Sequence, residues 1–260
     1  MPVPGFTRDN LKRHHNLRGP VVVGIPMTEM IYREAFWPFM FLVRDGMKEG
    51  DRLIPTIQVA VPAEARNSII EDFLAMPAHF RFLFMFDSDM VVPMEAIDAM
   101  SGYDVPFVSG YCTYKNPPYF PVASVKDQVI TLHGEQVQTY RNITNWEPFQ
   151  GIHECDATGA AALCLRRDLL EAIEPPYFKH EAGGEDYYFC RKVQAARLPG
   201  YEDGVPVLLS TDIPVGHIGL KTAWPMDWFT HKDAYYAEHP ENAEIDAVVV
   251  GIQPEVAAAD

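Results

Sequence analysis

Five consecutive apolar residues, Phe82-Leu83-Phe84-Met85-Phe86, end abruptly at Asp87-Ser88-Asp89. A segment that is apolar at every position, and not merely at alternate ones, suits a strand covered on both faces, as in the middle of a parallel sheet. What surrounds it repeats that theme. Val21-Val22-Val23-Gly24-Ile25-Pro26 reads as a short buried strand, and Ile31, Ala35, Phe36, Phe39, Met40 and Val43 then recur at helical spacing, with Pro38 set to kink or restart the helix. A second strand is expected from about Leu53 to Val61, followed by a helix from about Pro62 whose apolar face is Ile69, Ile70, Phe73 and Leu74. Past the Asp-rich segment, Pro93 stands where a first-turn proline belongs, Met94, Ile97 and Met100 face a core, and Val105 to Ser109 reads as a fourth strand. Strand and helix in strict alternation predict an open α/β sheet, whose ligands lie beyond the carboxyl ends of its strands.

The rhythm breaks between Tyr111 and about Gly151. Pro117, Pro118 and Pro121 interrupt it, and Val129 to Leu132 and Val137 to Tyr140 flank His133-Gly134-Glu135-Gln136 as a hairpin excursion placed to cover a cleft. Ala160 to Leu165 then reads as a strand, Arg167 to Ile173 and Glu185 to Ala196 as helices, and Val205 to Leu209 as a last strand leading to Gly216-His217-Ile218-Gly219. The expected organisation is an N-terminal extension (1–19), one domain over 20–220 with a nucleotide-binding half (20–110) and an acceptor half (111–220), and a C-terminal extension (221–260) rich in Trp, Tyr and acids.

Composition narrows the function classes. At 260 residues and 48% hydrophobic, the chain can bury one substantial core. Acids outnumber Lys and Arg 36 to 21, so the net charge of -15 repels polyphosphate at long range and argues against coating nucleic acid. A small phosphate site bridged by a divalent cation stays compatible with it. Cys112, Cys155, Cys164 and Cys190 form no CxxC, so reduced, buried thiols are expected. With no signal-peptide pattern in the first twenty residues and no membrane-length apolar run, a soluble cytoplasmic protein is expected.

The chemistry-bearing residues cluster near predicted strand ends. Residues i and i+2 of an extended segment project to one side, so Asp87 and Asp89 are expected to share a face at the mouth of the sheet, where a divalent cation would relieve their repulsion and leave positions open for a diphosphate. The chain's 18 aspartates predict about one Asp-x-Asp by chance, so position carries the argument and the bare motif does not. His217, between glycines just after a strand, offers an imidazole as a third ligand and tilts the preference from magnesium toward manganese. Gly183-Gly184-Glu185-Asp186 opens a helix; the acids suit its positive end, and one of them can take a proton from an attacking hydroxyl. Thr28 after the first strand, and Arg66-Asn67 at the start of the second helix, fall on the ligand side of the sheet. An arginine there meets either a phosphate or a surface acid.

In this order the chain resembles the metal-dependent glycosyltransferases of the GT-A fold, closest to the family 2 type of bacteria and phages. The matching text is Ala65-Arg66-Asn67, Phe86-Asp87-Ser88-Asp89, Val108-Ser109-Gly110-Tyr111, Ala157-Thr158-Gly159-Ala160 running into Leu165-Arg166-Arg167, Gly184-Glu185-Asp186 and Gly216-His217-Ile218-Gly219. The resemblance covers about residues 20 to 220. It implies a Rossmann-like GT-A fold and transfer of one sugar from a nucleotide-sugar, by default a UDP-sugar, to an acceptor hydroxyl, with Mn2+ or Mg2+ as cofactor. It places Asp87, Asp89 and His217 at the metal, Asp186 with Glu185 as the base of an inverting reaction, Pro26, Thr28, Arg66, Asn67, Asp87 and Ser88 around the nucleotide, and Tyr111 and Gly159 where donor and acceptor sugars meet. Ala157 to Ala160 departs from the more usual Gly-Thr-Gly-Phe-like run, and no Gln-x-x-Arg-Trp signature follows the acidic motif, which speaks for single additions over polymer synthesis. The acceptor classes that follow are a small molecule, a glycan, a lipid carrier or, against the acidic surface, a modified DNA base.

Two other readings compete. A metal-dependent nucleotidyltransferase would use a similar sheet, but no Gly-rich, Lys-bearing phosphate loop follows the first strand. A nucleotide- or carbohydrate-binding module without turnover would keep the fold but has less use for both a metal site and a base.

Overall fold

The computed structural model describes residues 19–27, 32–54, 61–132, 135–181, 184–219, 222–240 and 249–254, with backbone alone at 132, 135–137 and 249–254. The apolar runs become strands where expected, and helices fill the intervals. In chain order these are β1 (Val21–Gly24), α1 (Arg33–Phe41, continuing into a π-turn at Leu42–Gly46), β2 (Arg52–Leu53), α2 (Pro62–Ala75), β3 (Phe82–Phe86), β4 (Met90–Val91), α3 (Ala96–Gly102) and β5 (Phe107–Tyr111). The excursion is a long hairpin, β6 (Ala123–Leu132) and β7 (Glu135–Asn142), followed by β8 (Ile152–Cys155), β9 (Ala157–Thr158), β10 (Ala162–Arg166) and α4 (Arg167–Ala172). The chain then forms α5 (Glu185–Ala195), β11 (Val207–Pro214), β12 (Gly216–Ile218), β13 (Thr222–Ala223), α6 (Pro225–Glu238) and β14 (Val249–Pro254).

The central sheet has seven strands in the order β2-β1-β3-β10-β5-β11-β8. β2, β1, β3, β5 and β11 run in one direction, while β10 is antiparallel to both β3 and β5, and β8 is antiparallel to β11. All five residues of β3 are buried, because helices cover both faces of the sheet. One apolar layer, including Leu83 and Met85, packs on Ile69, Ile70 and Phe73 of α2 and Phe189 and Val193 of α5; the other, including Phe84 and Phe86, packs on Ile97 and Met100 of α3. Each such side chain contributes about 1.5–3 kcal/mol by leaving water. Arg167 fixes the end of α2: its guanidinium donates to the carbonyls of Phe73 (2.8 Å) and Leu74 (3.2 Å) in the last turn, and to those of Met76 (3.2 Å) and Phe80 (2.8 Å) just beyond it. The opposite, Pro62-initiated end of α2 is thereby held at the carboxyl rim of the sheet.

A four-stranded sheet, β14-β7-β6-β9, and a three-stranded one, β13-β12-β4, flank this rim. The second is short but consequential, since it pairs His217 with Met90 and so draws β12 to the turn after β3. In the C-terminal region Trp228 of α6 is fully buried, donates through Nε1 to Thr144 O at 2.8 Å, and meets a tilted Phe120 ring and the edge-to-face rings of Tyr235 and Tyr236. All four cysteines are buried and free, as expected. No helix among the described residues is long and apolar enough to cross a membrane.

The α1 expectation is partly overturned. Ala35 is buried and Phe39 half-buried, but Phe36 and Met40 face outward, beside Trp37, which is 64% exposed. Periodicity placed these residues on a helix, yet only packing settles which stripe of a helix meets the sheet. Ile31 lies outside the described residues, as do 55–60 of the expected second strand and 133–134 at the hairpin tip.

Candidate functional site

Two clusters of charge meet at the carboxyl rim. The first is centred on Arg66, in the opening turns of α2. Its side chain is only 4% exposed, and its Nη2 donates to both oxygens of Asp87 (2.9 and 2.8 Å), while Nη1 donates to Glu185 Oε1 at 2.9 Å and Asp186 Oδ1 at 3.2 Å. The guanidinium also lies over the Phe178 ring, 5.3 Å from its centre. One arginine therefore braces the end of β3 against the start of α5. Its Nε–H is buried and has no partner.

Three carboxylates around one guanidinium leave an excess of negative charge. Burial pushes the Asp87 carboxyl up to about 6, against the pull of Arg66 and with further push from Asp186 and Asp89. Asp186 is raised too, chiefly by burial, with Arg66 opposing and Glu185 adding. Glu185 goes the other way: burial would raise it, but the hydrogen bond from its own backbone N–H, together with Arg66, holds it below the usual range. Of the two neighbouring acids, Asp186 is thus the one whose proton affinity is increased. Gly159 lies against it. A Cβ there would collide with Val122 Cγ1 at 2.9 Å and stand in ordinary contact, 3.6 Å, with Asp186 Oδ2, so the close packing of Val122 requires the glycine.

The second cluster is centred on Asp89. Its Oδ2 lies 3.4 Å from His217 Nε2 and 3.5 Å from Lys115 Nζ. His217 Nδ1 is 2.9 Å from the carbonyl of Thr113, which can only accept, so this nitrogen carries the proton. Nε2 is then a lone pair beside a carboxylate oxygen unless a second proton or a cation stands between them. Although burial opposes it, the contacts with His217 and Lys115 hold the Asp89 carboxyl below its ordinary range. Ile218 N–H donates to the Asp89 carbonyl at 2.9 Å, fixing the main chain of the pair.

Placed one by one, the expected residues divide. Asp89 and His217 come together, and so do Asp87, Glu185 and Asp186. Asp87 and Asp89 are not presented by a continuing strand: residues 88–89 form a turn, closed by Met90 N–H to Asp87 O at 3.1 Å, and the two carboxylates, near enough for Asp89 to push the Asp87 carboxyl up, take different partners. Among the described residues no group of three or more His, Cys, Asp and Glu is arranged to hold a metal, so Asp87 does not complete a ligand set with Asp89 and His217.

The Nη donors of Arg66, expected at a nucleotide, are taken up by the acids. Asn67 is likewise internal: its Nδ2 donates to Phe178 O and its Oδ1 accepts from Phe178 N–H, both at 2.8 Å, which pins the segment before α5 to α2. Tyr111 is fully buried and donates to Trp146 O at 2.6 Å, so it is core and does not line a sugar pocket. Pro26 is buried after β1, Ser88 is half-buried in the turn, and Thr28 lies outside the described residues. Sequence reasoning missed Lys115 and the Thr113 carbonyl. Neither belongs to a motif, and the only hint was their position just past the end of the predicted fourth strand.

The sequence matches no protein-family model and no curated protein. Among solved structures the chain is similar to A197 from STIV, with a TM-score of 0.50 and 20% identity over 77% of this chain and 86% of that one. A likeness at that identity establishes a shared fold: a mixed α/β architecture with a large, mostly parallel central sheet flanked by helices, of Rossmann-like type.

Proposed function

We propose that the protein is a GT-A-type glycosyltransferase that moves one sugar from a nucleotide-sugar, with UDP as the expected nucleotide, to an acceptor hydroxyl. The observation that carries the reading is the meeting, at one sheet rim, of an oriented His217–Asp89 pair with an acid, Asp186, whose proton affinity is raised. The first suits a cation bound to diphosphate and the second a base.

The chain offers two donors of the kind a divalent ion takes, a carboxylate and an imidazole. Asp89 Oδ2 and His217 Nε2 stand 3.4 Å apart, and a protonated Nδ1 leaves Nε2 as the nitrogen that would ligate. Asp89 and His217 would hold manganese or magnesium, and bound there the ion acts as a Lewis acid toward the departing diphosphate. The remaining steps belong to the chain's own residues. Asp186, held by Arg66 through Oδ1, accepts the proton of the acceptor hydroxyl. The acceptor oxygen forms a bond to the anomeric carbon as the carbon–oxygen bond to the diphosphate breaks, and that bond's electron pair leaves on the phosphate oxygen. Displacement in this sense inverts the anomeric configuration. Glu185 and Asp87 hold Arg66 in place.

Thermal unfolding with UDP, with and without manganese, tests this without knowledge of the acceptor. At a hundred times Kd, binding stabilises the protein by about 2.7 kcal/mol. The expected outcome is a manganese-dependent rise with UDP that disappears in Asp89→Asn. An equal rise in EDTA would overturn the reading.

A further inference from the structure

Lys115 belongs to none of the sequence motifs, yet its position is built with care. It lies on the loop that leaves β5, which is closed by Val122 N–H to Cys112 O (3.0 Å), Tyr114 N–H to Phe120 O (2.9 Å) and Tyr119 N–H to Asn116 O (2.9 Å). On its other side the strand end after β12 presses against it. A Cβ at Gly219 would stand 2.8 Å from Lys115 O and 3.0 Å from Lys115 Cβ, an approach that only glycine allows. Between these segments the ammonium is 3.5 Å from Asp89 Oδ2 while the side chain is still 47% exposed. An exposed contact of this length contributes little to stability. A compact charge on a flexible four-carbon stem is, however, free to move to a nearby anion. At the root of the same loop the buried Thr113 hydroxyl has no hydrogen-bond partner, an orphan of the kind that a ligand or ordered water satisfies.

We propose that Lys115 is a substrate-contacting residue, whose ammonium rests on Asp89 until a divalent cation takes that carboxylate and then meets the diphosphate oxygens of the nucleotide. This rests on the glycosyltransferase reading and adds to it a second, protein-borne cation for the departing group. Metal and lysine compete for Asp89 in the empty site and act together in the occupied one, so removing the lysine changes two affinities in opposite directions.

The test is calorimetry on the full chain with manganese alone and, in saturating manganese, with UDP and UMP. Lys115→Met is expected to bind manganese at least about fivefold more tightly, because a unit charge a few ångströms away is gone, and to lose at least about fivefold of its preference for UDP over UMP. Lys115→Arg keeps the charge and is expected to restore both values. The side chain is half-exposed, so both variants are expected to melt with the unaltered protein. Unchanged or weakened manganese binding in Lys115→Met, an unchanged UDP preference, or equal effects of Met and Arg would each overturn the proposal alone. An unaltered protein that binds neither manganese nor UDP would overturn the underlying reading and this proposal with it.

Discussion

The two charge clusters at the rim are built on opposite principles. Around Arg66, four hydrogen bonds of 2.8–3.2 Å hold three carboxylates from two distant parts of the chain, and nothing there is free to rearrange without leaving a buried charge uncompensated. Around Asp89, the contacts to His217 and Lys115 are 3.4 and 3.5 Å, longer than charge-assisted hydrogen bonds, and one of the partners is half in solvent. The first cluster is a preformed brace, while the second is loosely held and partly open to solvent. A transferase of the proposed type needs both: a base whose position does not depend on the donor, and a phosphate-side site that closes on it.

Three measurements break or sharpen that contrast. The largest effect is expected from Asp186→Asn, which should lower transfer about 10²- to 10⁴-fold while UDP binding in manganese is retained; undiminished turnover would remove Asp186 as the base. Next, Arg66→Met leaves Asp87, Glu185 and Asp186 facing one another. Chemical unfolding at neutral pH is expected to show a loss of about 3–5 kcal/mol, far more than any single change at the Asp89 cluster, and a loss below 1 kcal/mol would mean that the brace is not structural.

The smallest effect concerns pH. The Asp87 carboxyl, with an ordinary value of 3.8, is raised to about 6 by burial in the folded protein. A raised carboxyl contributes stability that is fully present below 3.8 and is lost as pH climbs through about 6. Asp87→Asn is neutral throughout, so the stability of the variant relative to the parent should be better at pH 7.5 than at pH 5, by about 1.4 kcal/mol. A difference independent of pH would show that Asp87 is ionised across the whole window.

Much of the frame was legible because burial leaves a direct mark on composition. β1 and β3 are runs of apolar residues, β5 and β10 are mostly so, and α5 begins at the Gly-Gly-Glu-Asp text that marks its start. The site was less legible. Arg66 read as a nucleotide contact because it lies on the ligand side of the sheet; that Glu185 and Asp186 approach from more than a hundred positions away is not encoded in its neighbourhood. Asn67 and Tyr111 were misread for a related reason, since a polar tip close to a cleft looks the same in sequence whether it meets a ligand or a backbone carbonyl. Asp87 and Asp89 were placed by the alternation of a continuing strand, whereas a turn at 88–89 presents them and gives each its own partners.

The sequence by itself determined the alternation of strands and helices, the buried centre of the sheet and the rim at which polar residues had to emerge, since these follow from local periodicity and the transfer of apolar side chains out of water. Only the tertiary structure decided which acid each cation holds, that His217 presents Nε2 and not Nδ1 to Asp89, and that Lys115 reaches the same carboxylate. Those outcomes depend on ångström-scale distances between segments far apart in the chain. Electrostatic interaction and hydrogen bonding vary steeply over that scale, whereas hydrophobic patterning does not resolve it.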